Sequence, residues 1–280
     1  MKGYFGKFLK INLTSGQTSE MPISETDQEK YIGGSTLAAI IVYVYVKPGM
    51  DPLSAGNPII FNTGPFTGSN VHMVSRAAIC GISPGTGLWG EATTGGKFPV
   101  RLKSTGYDGV IITGKAKNPV YIIIEEGACK IRDATHLWGK TDCYETQQRL
   151  KAEAGKDASV ACIGAGGENL ISYSTIMNDE GRAAGRCGMG ALMGSKNLKA
   201  LVVSGKQKSQ VANPEKLKEV ISEARDAIKS NANTQAYKLY GTNFYMDLAM
   251  RLGDATAKYF TKSVFPAAKI HGPAFRDRYH

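Results

Sequence analysis

The sequence predicts an α+β protein, on three observations. Roughly the first two hundred residues break into short runs rich in Val, Ile and Tyr, each closed by a glycine or proline turn. After Gly205 those turns disappear and apolar residues recur at three- and four-residue steps. Strands first and helices second point to segregated elements rather than to alternating βαβ units. The third observation is glycine itself: 33 of 280 residues, about 12% against a background near 7%, concentrated in the strand-rich part.

Each element has its own local reason. "FGKFLKINL" alternates apolar and polar residues, and "TSG" closes it. Ser24 is placed to cap a helix over "ETDQEKYI". "STLAAIIVYVYV" suits a helix by length and a strand by its β-branched run, and length favours the helix. "PIIFN", "RAAICGI", "DGVIITG", "PVYIIIEE", "SVACIG", "ISYSTI" and "KALVVSG" are further strands. "TDCYETQQRLKAEAG" is a helix, with Thr141 or Asp142 at its cap and Gly155 at its stop. Beyond "KQKSQVAN", Pro214 stands at a first helical position, and Leu217, Val220, Ile221, Ala224 and Ile228 share one face. The division is therefore expected near residue 208, giving domains 1–207 and 208–280. No short tandem repeat or low-complexity tract is visible.

The totals exclude several classes. The N-terminal "MKGYFGKFLKINLTSG" carries no apolar core of a signal peptide. "AAIIVYVYV" reaches only about half of the roughly 18 residues that a membrane span needs. The five cysteines (80, 129, 143, 162 and 187) are dispersed and form no C-x-x-C. They argue against a disulfide framework and against a self-contained zinc or iron–sulfur site, and a reducing cytoplasm is expected. The net charge of +10 suits an anionic ligand, an acidic partner, nucleic acid or a membrane surface. No aromatic-plus-basic motif supports nucleic acid.

Two glycine motifs fail their tests. "CIGAGGENL" has Asn169 where the dinucleotide fingerprint needs a glycine, and strand-like residues follow it. "GALMGSKN" has the wrong spacing for a phosphate loop. Two longer stretches remain. "GRAAGRCGMGALMGSKNLKA" either builds an anion nest flanked by Arg182 and Arg186, or supplies a small-residue face to a packed helix. The earlier stretch sets Arg76, Lys97, Arg101 and Lys103 among Gly85, Gly87, Gly90, Gly95 and Gly96. Together they would suit a ligand with two phosphates, or two ligands. No nucleophile–base set, HExxH or paired-carboxylate motif is present, and no catalytic side chain is nominated.

The motifs "YIGG", "DPLSAGNPIIFNTGPFTG", "TTGG", "LKSTGYDGVIITGKAKNPVY", "IRDATHLWGK" and "IGAGGENLISYSTIMNDEGRAAGRCGMGALMGSKNLKALVV" run through residues 3–205. In order and spacing they resemble the N-terminal part of the aldehyde ferredoxin oxidoreductase family of tungsten- or molybdenum-pterin enzymes. The resemblance implies two stacked mixed β-sheets with outer helices, followed by a partial helical segment. It implies two molybdopterins whose dithiolene sulfurs hold the metal, which accounts for the lack of protein metal-ligand spacing. By the same resemblance Arg76, Thr93, Thr94 and Gly95 contact one pterin, and Arg182, Ala183, Gly185 and Arg186 the other. Main-chain carbonyls of Thr93 and Ala183 would hold a magnesium ion between the pterin phosphates.

The implied activity is oxidation of an aldehyde to a carboxylate in an anaerobic cytoplasm, with electrons passing through a [4Fe–4S] cluster to ferredoxin. The cluster cysteines of the family match none of the five present, so the sequence reads as a portion that ends before them. Partners implied are ferredoxin, the remaining C-terminal domains or a complementary subunit, and further copies in a homo-oligomer. Neither nucleic acid nor membrane is expected. The alternative is a non-catalytic module that binds cofactor or a partner. Four positions depart from the family pattern: Ser35 replaces an arginine, Ile82 a lysine, Thr93 an asparagine and Cys187 a glycine.

Overall fold

The computed structural model describes residues 1–279, which divide into two compact units, Met1–Asn213 and Pro214–His280. In the first unit the elements run β1 (Lys7–Asn12), β2 (Gln17–Pro22), α1 (Glu25–Tyr31), α2 (Gly34–Tyr45), β3 (Ile59–Asn62), β4 (Ala77–Ile82), β5 (Trp89–Thr94), α3 (Phe98–Lys103) and β6 (Gly109–Thr113). They continue as β7 (Val120–Glu125), β8 (Ala128–Asp133), α4 (Cys143–Ala154), β9 (Ser159–Cys162), α5 (Ala165–Glu168), β10 (Ile176–Asn178), β11 (Arg182–Ala184), α6 (Met189–Ser195) and β12 (Leu198–Ser204).

The unit is an internal duplication. One six-stranded sheet has the order β2-β1-β6-β3-β4-β5, and the other has β8-β7-β12-β9-β10-β11. Each strand of the second sheet occupies the place of the strand six earlier in the first. In each, one pair is parallel (β1 with β6, β7 with β12) and the other pairs are antiparallel. The repeat surfaces in sequence at the sixth strands, where "DGVIITGK" and "KALVVSGK" align residue for residue. Elsewhere substitution has erased it.

Alternation of side chains sets the layers. Ile59 and Phe61, Val110 and Ile112, Ile122 and Ile124, and Leu201 and Val203 point into one shared core with Phe98 and Leu102 of α3 and Leu192 of α6. The intervening residues face outward and are covered: Phe8, Ile60 and Ile111 by Leu37, Ala38, Ile41 and Val42 of α2, and Val160, Ala200 and Val202 by Leu150 of α4. The central strands are therefore apolar throughout rather than alternating. The expected α+β architecture of two mixed, stacked sheets with outer helices is the one observed.

Local chemistry explains the helix ends. Ser24 Oγ accepts from Asp27 N at 3.0 Å, and Asp142 caps α4 by accepting from Glu145 N at 2.8 Å. The β-branched segment is the helix α2, with Tyr43 and Val44 left exposed opposite its buried face. "ISYSTI" departs from expectation, because only Ile176 belongs to a strand. Its preceding backbone instead lies against α6: an added Cβ on Gly190 would stand 2.6 Å from Thr175 O. The edge strands β2 and β8 were not among the expected strands; β2 is polar and exposed, while β8 turns Cys129 and Ile131 toward the shared core.

The second unit contains α7 (Pro214–Ser230), α8 (Ala232–Tyr240), a 3₁₀ turn (Gly241–Tyr245), α9 (Met246–Leu252) and α10 (Gly272–Tyr279). Among the described residues its buried apolar side chains are alanines only: Ala249, Ala255 and Ala267. Tyr240, Phe244, Leu248 and Pro273 line a cavity of about 330 Å³ within it. No helix among the described residues is long and apolar enough to cross a membrane.

Three lysines are buried in the first unit. Lys103 pairs with Asp108 at 2.5 Å and Lys199 with Glu168. Lys196 has no carboxylate, and Nζ reaches only the carbonyls of Ala55 and Gly114, at 3.3 and 3.4 Å. Burial lowers its pKa to about 7. The unfolded chain, with a lysine near 10.4, then binds the extra proton throughout the window between these values. Stability should rise with pH across that window, by at most about 1.4 kcal/mol per pH unit. Thermal melts from neutral to alkaline pH should show this rise in the native protein and a flatter profile in Lys196→Met. Equal slopes would refute the assignment.

Candidate functional site

The two sheets meet along their edge strands β5 and β11, and a short polar segment between β10 and β11 makes the join. Asn178 Oδ1 accepts from the buried Thr94 Oγ1 at 2.5 Å, and its Nδ2 donates to Gly95 O at 3.0 Å. Asp179 Oδ2 accepts from the backbone N–H of Lys97 at 2.6 Å and of Phe98 at 2.9 Å, at the start of α3. Its Oδ1 accepts from Ser159 Oγ at 2.7 Å. A carboxylate from one repeat thus caps the helix of the other, where free N–H groups and the helix dipole favour negative charge. Gly96 has φ +83° and lies directly on Asp179 and Arg182 Cγ, so a side chain there would be strained and would collide with both.

The predicted residues fall on this join. Arg76 lies just before β4 and donates from Nη2 to Thr93 Oγ1 at 3.1 Å. Thr93 and Thr94 close β5, opposite Ala78 and Ala77. Arg182 and Ala183 lie on β11, not in a turn entering a helix, while Gly185 and Arg186 occupy the loop between β11 and α6. Arg182 is beside Gly96, while Cys187 is beside Gly90 and its carbonyl accepts from Ser83 Oγ at 2.9 Å. The run 182–187 therefore tracks back along β5, which brings both predicted groups to one seam.

The electrostatics of the seam are one-sided. Arg76, Lys97, Arg182 and Arg186 are exposed and make no ion pair among the described residues. Of the acids nearby, Asp179 is occupied by two N–H groups and a hydroxyl, Glu180 lies 3.6 Å from Lys151 Nζ, and Glu91 is a half-buried residue of β5. Ideal Cβ positions on Gly95 and Gly181 meet nothing within 4 Å, so space stands open beside the cations. Arginine forks next to unobstructed backbone suit phosphate oxygens.

Other predicted cations do not join them. Arg101 pairs with Asp157 at 2.8 Å, Lys103 is buried with Asp108, and Lys196 and Lys199 lie in the interior. The glycines of α6 serve packing, with Gly190 and Gly194 against the backbone of residues 174–175 and 167. The long glycine run is thus divided, with its cations at the seam and its small residues in the core. Asn178 and Asp179 were missed by sequence reasoning. The one signal was "NDEG", whose Asp179 and Glu180 take φ +46° and +65°.

The model of the N-terminal domain of aldehyde ferredoxin oxidoreductase matches residues 8–205. This chain belongs to the aldehyde ferredoxin oxidoreductase family. Over its full length it is 39% identical to the tungsten-containing aldehyde ferredoxin oxidoreductase of Pyrococcus abyssi, covering 46% of that protein. It is 35% identical over 240 residues to the aliphatic sulfonate oxidoreductase, WOR-like subunit, of Pyrococcus furiosus, spanning 80% of this chain and 38% of that one. Among solved structures, the active site complex BamBC of benzoyl coenzyme A reductase, in complex with 1,5-dienoyl-CoA, superposes with TM-score 0.79 at 36% identity. That match covers 81% of this chain and 35% of the other. The chain spans about half the length of the curated relatives it matches.

The family match covers both repeats and the seam between them. Asp179→Ala should leave the Lys97 and Phe98 N–H groups and the Ser159 hydroxyl without their acceptor. The expected loss is about 1–3 kcal/mol in stability. Hydrogen exchange should accelerate at the amides of Lys97 and Phe98 and leave those of β12 unchanged. Uniform acceleration across the unit would assign Asp179 to global stability instead.

Proposed function

We propose that this chain is the pterin-binding portion of a tungsten-containing aldehyde:ferredoxin oxidoreductase. The observation that carries the reading is the seam, where each repeat contributes a glycine-rich cationic loop between its fifth strand and its following helix. A cofactor of two similar halves, each with a phosphate, matches a binding surface of two similar halves. Arg76, Thr93, Thr94 and Gly95 would hold one pterin, and Arg182, Ala183, Gly185 and Arg186 the other. Thr93 and Ala183 stand on edge strands, whose outer side is free of a ladder, and their carbonyls would accept a magnesium ion between the phosphates.

Bound there, tungsten held by pterin dithiolenes would supply the two-electron redox chemistry that turns an aldehyde and water into a carboxylate. This chain's own share is binding and orientation. Its arginines neutralise phosphate charge, its glycines admit the ligand close to the backbone, and Asn178 and Asp179 fix the spacing of the two loops. No side chain here is given a proton-transfer role. Substrate pocket, [4Fe–4S] cluster and ferredoxin contact would come from the rest of the protein or a complementary subunit. The second unit supports that division, because among its described residues the buried apolar side chains are the small ones of Ala249, Ala255 and Ala267. A relative named for aliphatic sulfonates indicates that the scaffold serves more than one substrate, and aldehyde is the reading drawn from the relatives named as aldehyde ferredoxin oxidoreductases.

Metal and pterin analysis of the intact protein, with any complementary subunit, tests this reading. Tungsten or molybdenum should appear with two pterins per metal. Arg182→Ala and Arg186→Ala should each weaken pterin retention roughly 10- to 100-fold, as expected for loss of a charged hydrogen bond. Absence of both metal and pterin from the assembled protein would sink the proposal.

A further inference from the structure

The dispersed cysteines of the sequence include two that the fold brings together. Cys143 opens α4 directly after the Asp142 cap, and Cys162 closes β9. The Cys162 thiol donates to Cys143 O at 3.5 Å, which sets it against the residue that carries the other thiol. Cys162 is fully buried, whereas Cys143 is partly exposed. Gly164 keeps the space beside Cys143 clear, since an added Cβ would stand 3.0 Å from its Sγ. The ammonium of Lys199 lies nearby, with Nζ 3.2 Å from Thr141 O and paired with Glu168.

We propose that Cys143 and Cys162 form a peroxide-reactive dithiol that closes reversibly to a disulfide. The partly exposed Cys143 is the attacking group and the buried Cys162 the resolving one. In the first step Cys143 thiolate attacks an oxygen of hydrogen peroxide. The O–O bond breaks, hydroxide leaves, and a sulfenic acid forms on Cys143. In the second step Cys162 sulfur attacks that sulfur, the S–O bond breaks, and the hydroxyl departs as water with the Cys162 proton. Two thiols and one peroxide thus give one disulfide and two waters.

The surroundings divide the two roles. The neighbouring Cys162 thiol holds the Cys143 thiol below its ordinary pKa, helped by the Lys199 ammonium and opposed by partial burial and the Asp142 and Glu168 carboxylates. Cys162, beside the Cys143 thiol and desolvated by burial, is pushed up. A partly exposed low-pKa thiol next to a buried thiol is the arrangement of an attacking and a resolving cysteine. The other cysteines lack this. Burial pushes Cys129 up to about 11 and Cys80 higher still, and Cys187 is exposed at the seam with no thiol in bonding contact among the described residues. The inference stands apart from the cofactor reading, because Cys143 and Cys162 belong to the α4 side of the second sheet.

The test is thiol mapping of the intact protein after brief peroxide treatment. Alkylation under denaturing conditions should label all five cysteines of the reduced protein and two fewer after oxidation. Peptide mapping should find one cross-link, joining the Cys143 and Cys162 peptides with loss of two hydrogen atoms, and dithiothreitol should reverse it. Cys143→Ser and Cys162→Ser should each abolish the cross-link, and Cys187→Ser should leave it intact. Five labelled thiols after oxidation, over-oxidation of Cys143 with Cys162 untouched, or a bond through Cys187 would each overturn it.

Discussion

The candidate site depends on one carboxylate. Asp179 leaves β10 in a left-handed turn and spends its oxygens on the first N–H groups of α3 and on Ser159. Those N–H groups belong to the first repeat and the aspartate to the second, so the contact sets how far apart the two edge strands lie. It also engages an acid that shares Gly96 with Arg182. Were that carboxylate free, it would compete with any anion for Arg182. Engaged by two amides and a hydroxyl, it is a fixed structural charge instead.

Duplication explains why such a contact is needed. Each repeat ends its sheet with a short strand whose outer edge is unpaired. Unpaired edges that stay exposed invite adventitious pairing. Here the two edges face one another but do not join into a continuous sheet, and the gap is bridged by side chains of Asn178 and Asp179. Backbone and arginines remain available along the seam as a result. The repeats also share a buried lysine–carboxylate pair at the start of the sixth strand, with reversed polarity: Asp108 in one and Lys199 in the other stand at matching positions. Breaking either pair would strand a buried charge, whereas the reversal between repeats preserved the pair.

The sequence was most readable where a single local force acts. The N-caps at Ser24 and Asp142, the Gly155 stop and the apolar central strands follow from hydrogen-bonding need and burial, and all stand as expected. It was least readable where the partner is distant in the chain. β2 is an edge strand held by its neighbour's ladder, so its polar residues carry no pattern, whereas in β8 only Cys129 and Ile131 mark the buried side. "ISYSTI" has strand composition, yet its backbone is recruited to pack on the glycines of α6. Asn178 and Asp179 serve residues more than eighty positions earlier, and locally only the turn-forming "NDEG" marks them. The duplication itself lies in connectivity, and only the sixth strands retain it in letters.

The departures from the family pattern can be sorted on the same grounds. Ile82, standing where the pattern has lysine, packs against the α2-side core with Phe8, Ile60 and Leu37. Its backbone is held on both sides by Asn57, at 3.0 Å from N and from O. That side chain faces away from the seam, so its replacement removes no cation from the loops. Thr93 keeps its backbone in the β5 ladder and uses its hydroxyl to accept from Arg76, a bond that orients the guanidinium toward the open seam. Cys187 takes φ +60°, a conformation that favours the glycine of the family pattern, and so carries local strain beside Arg186. These three positions therefore spare the charge of the seam, and the one that strains the backbone lies where the second loop turns into α6.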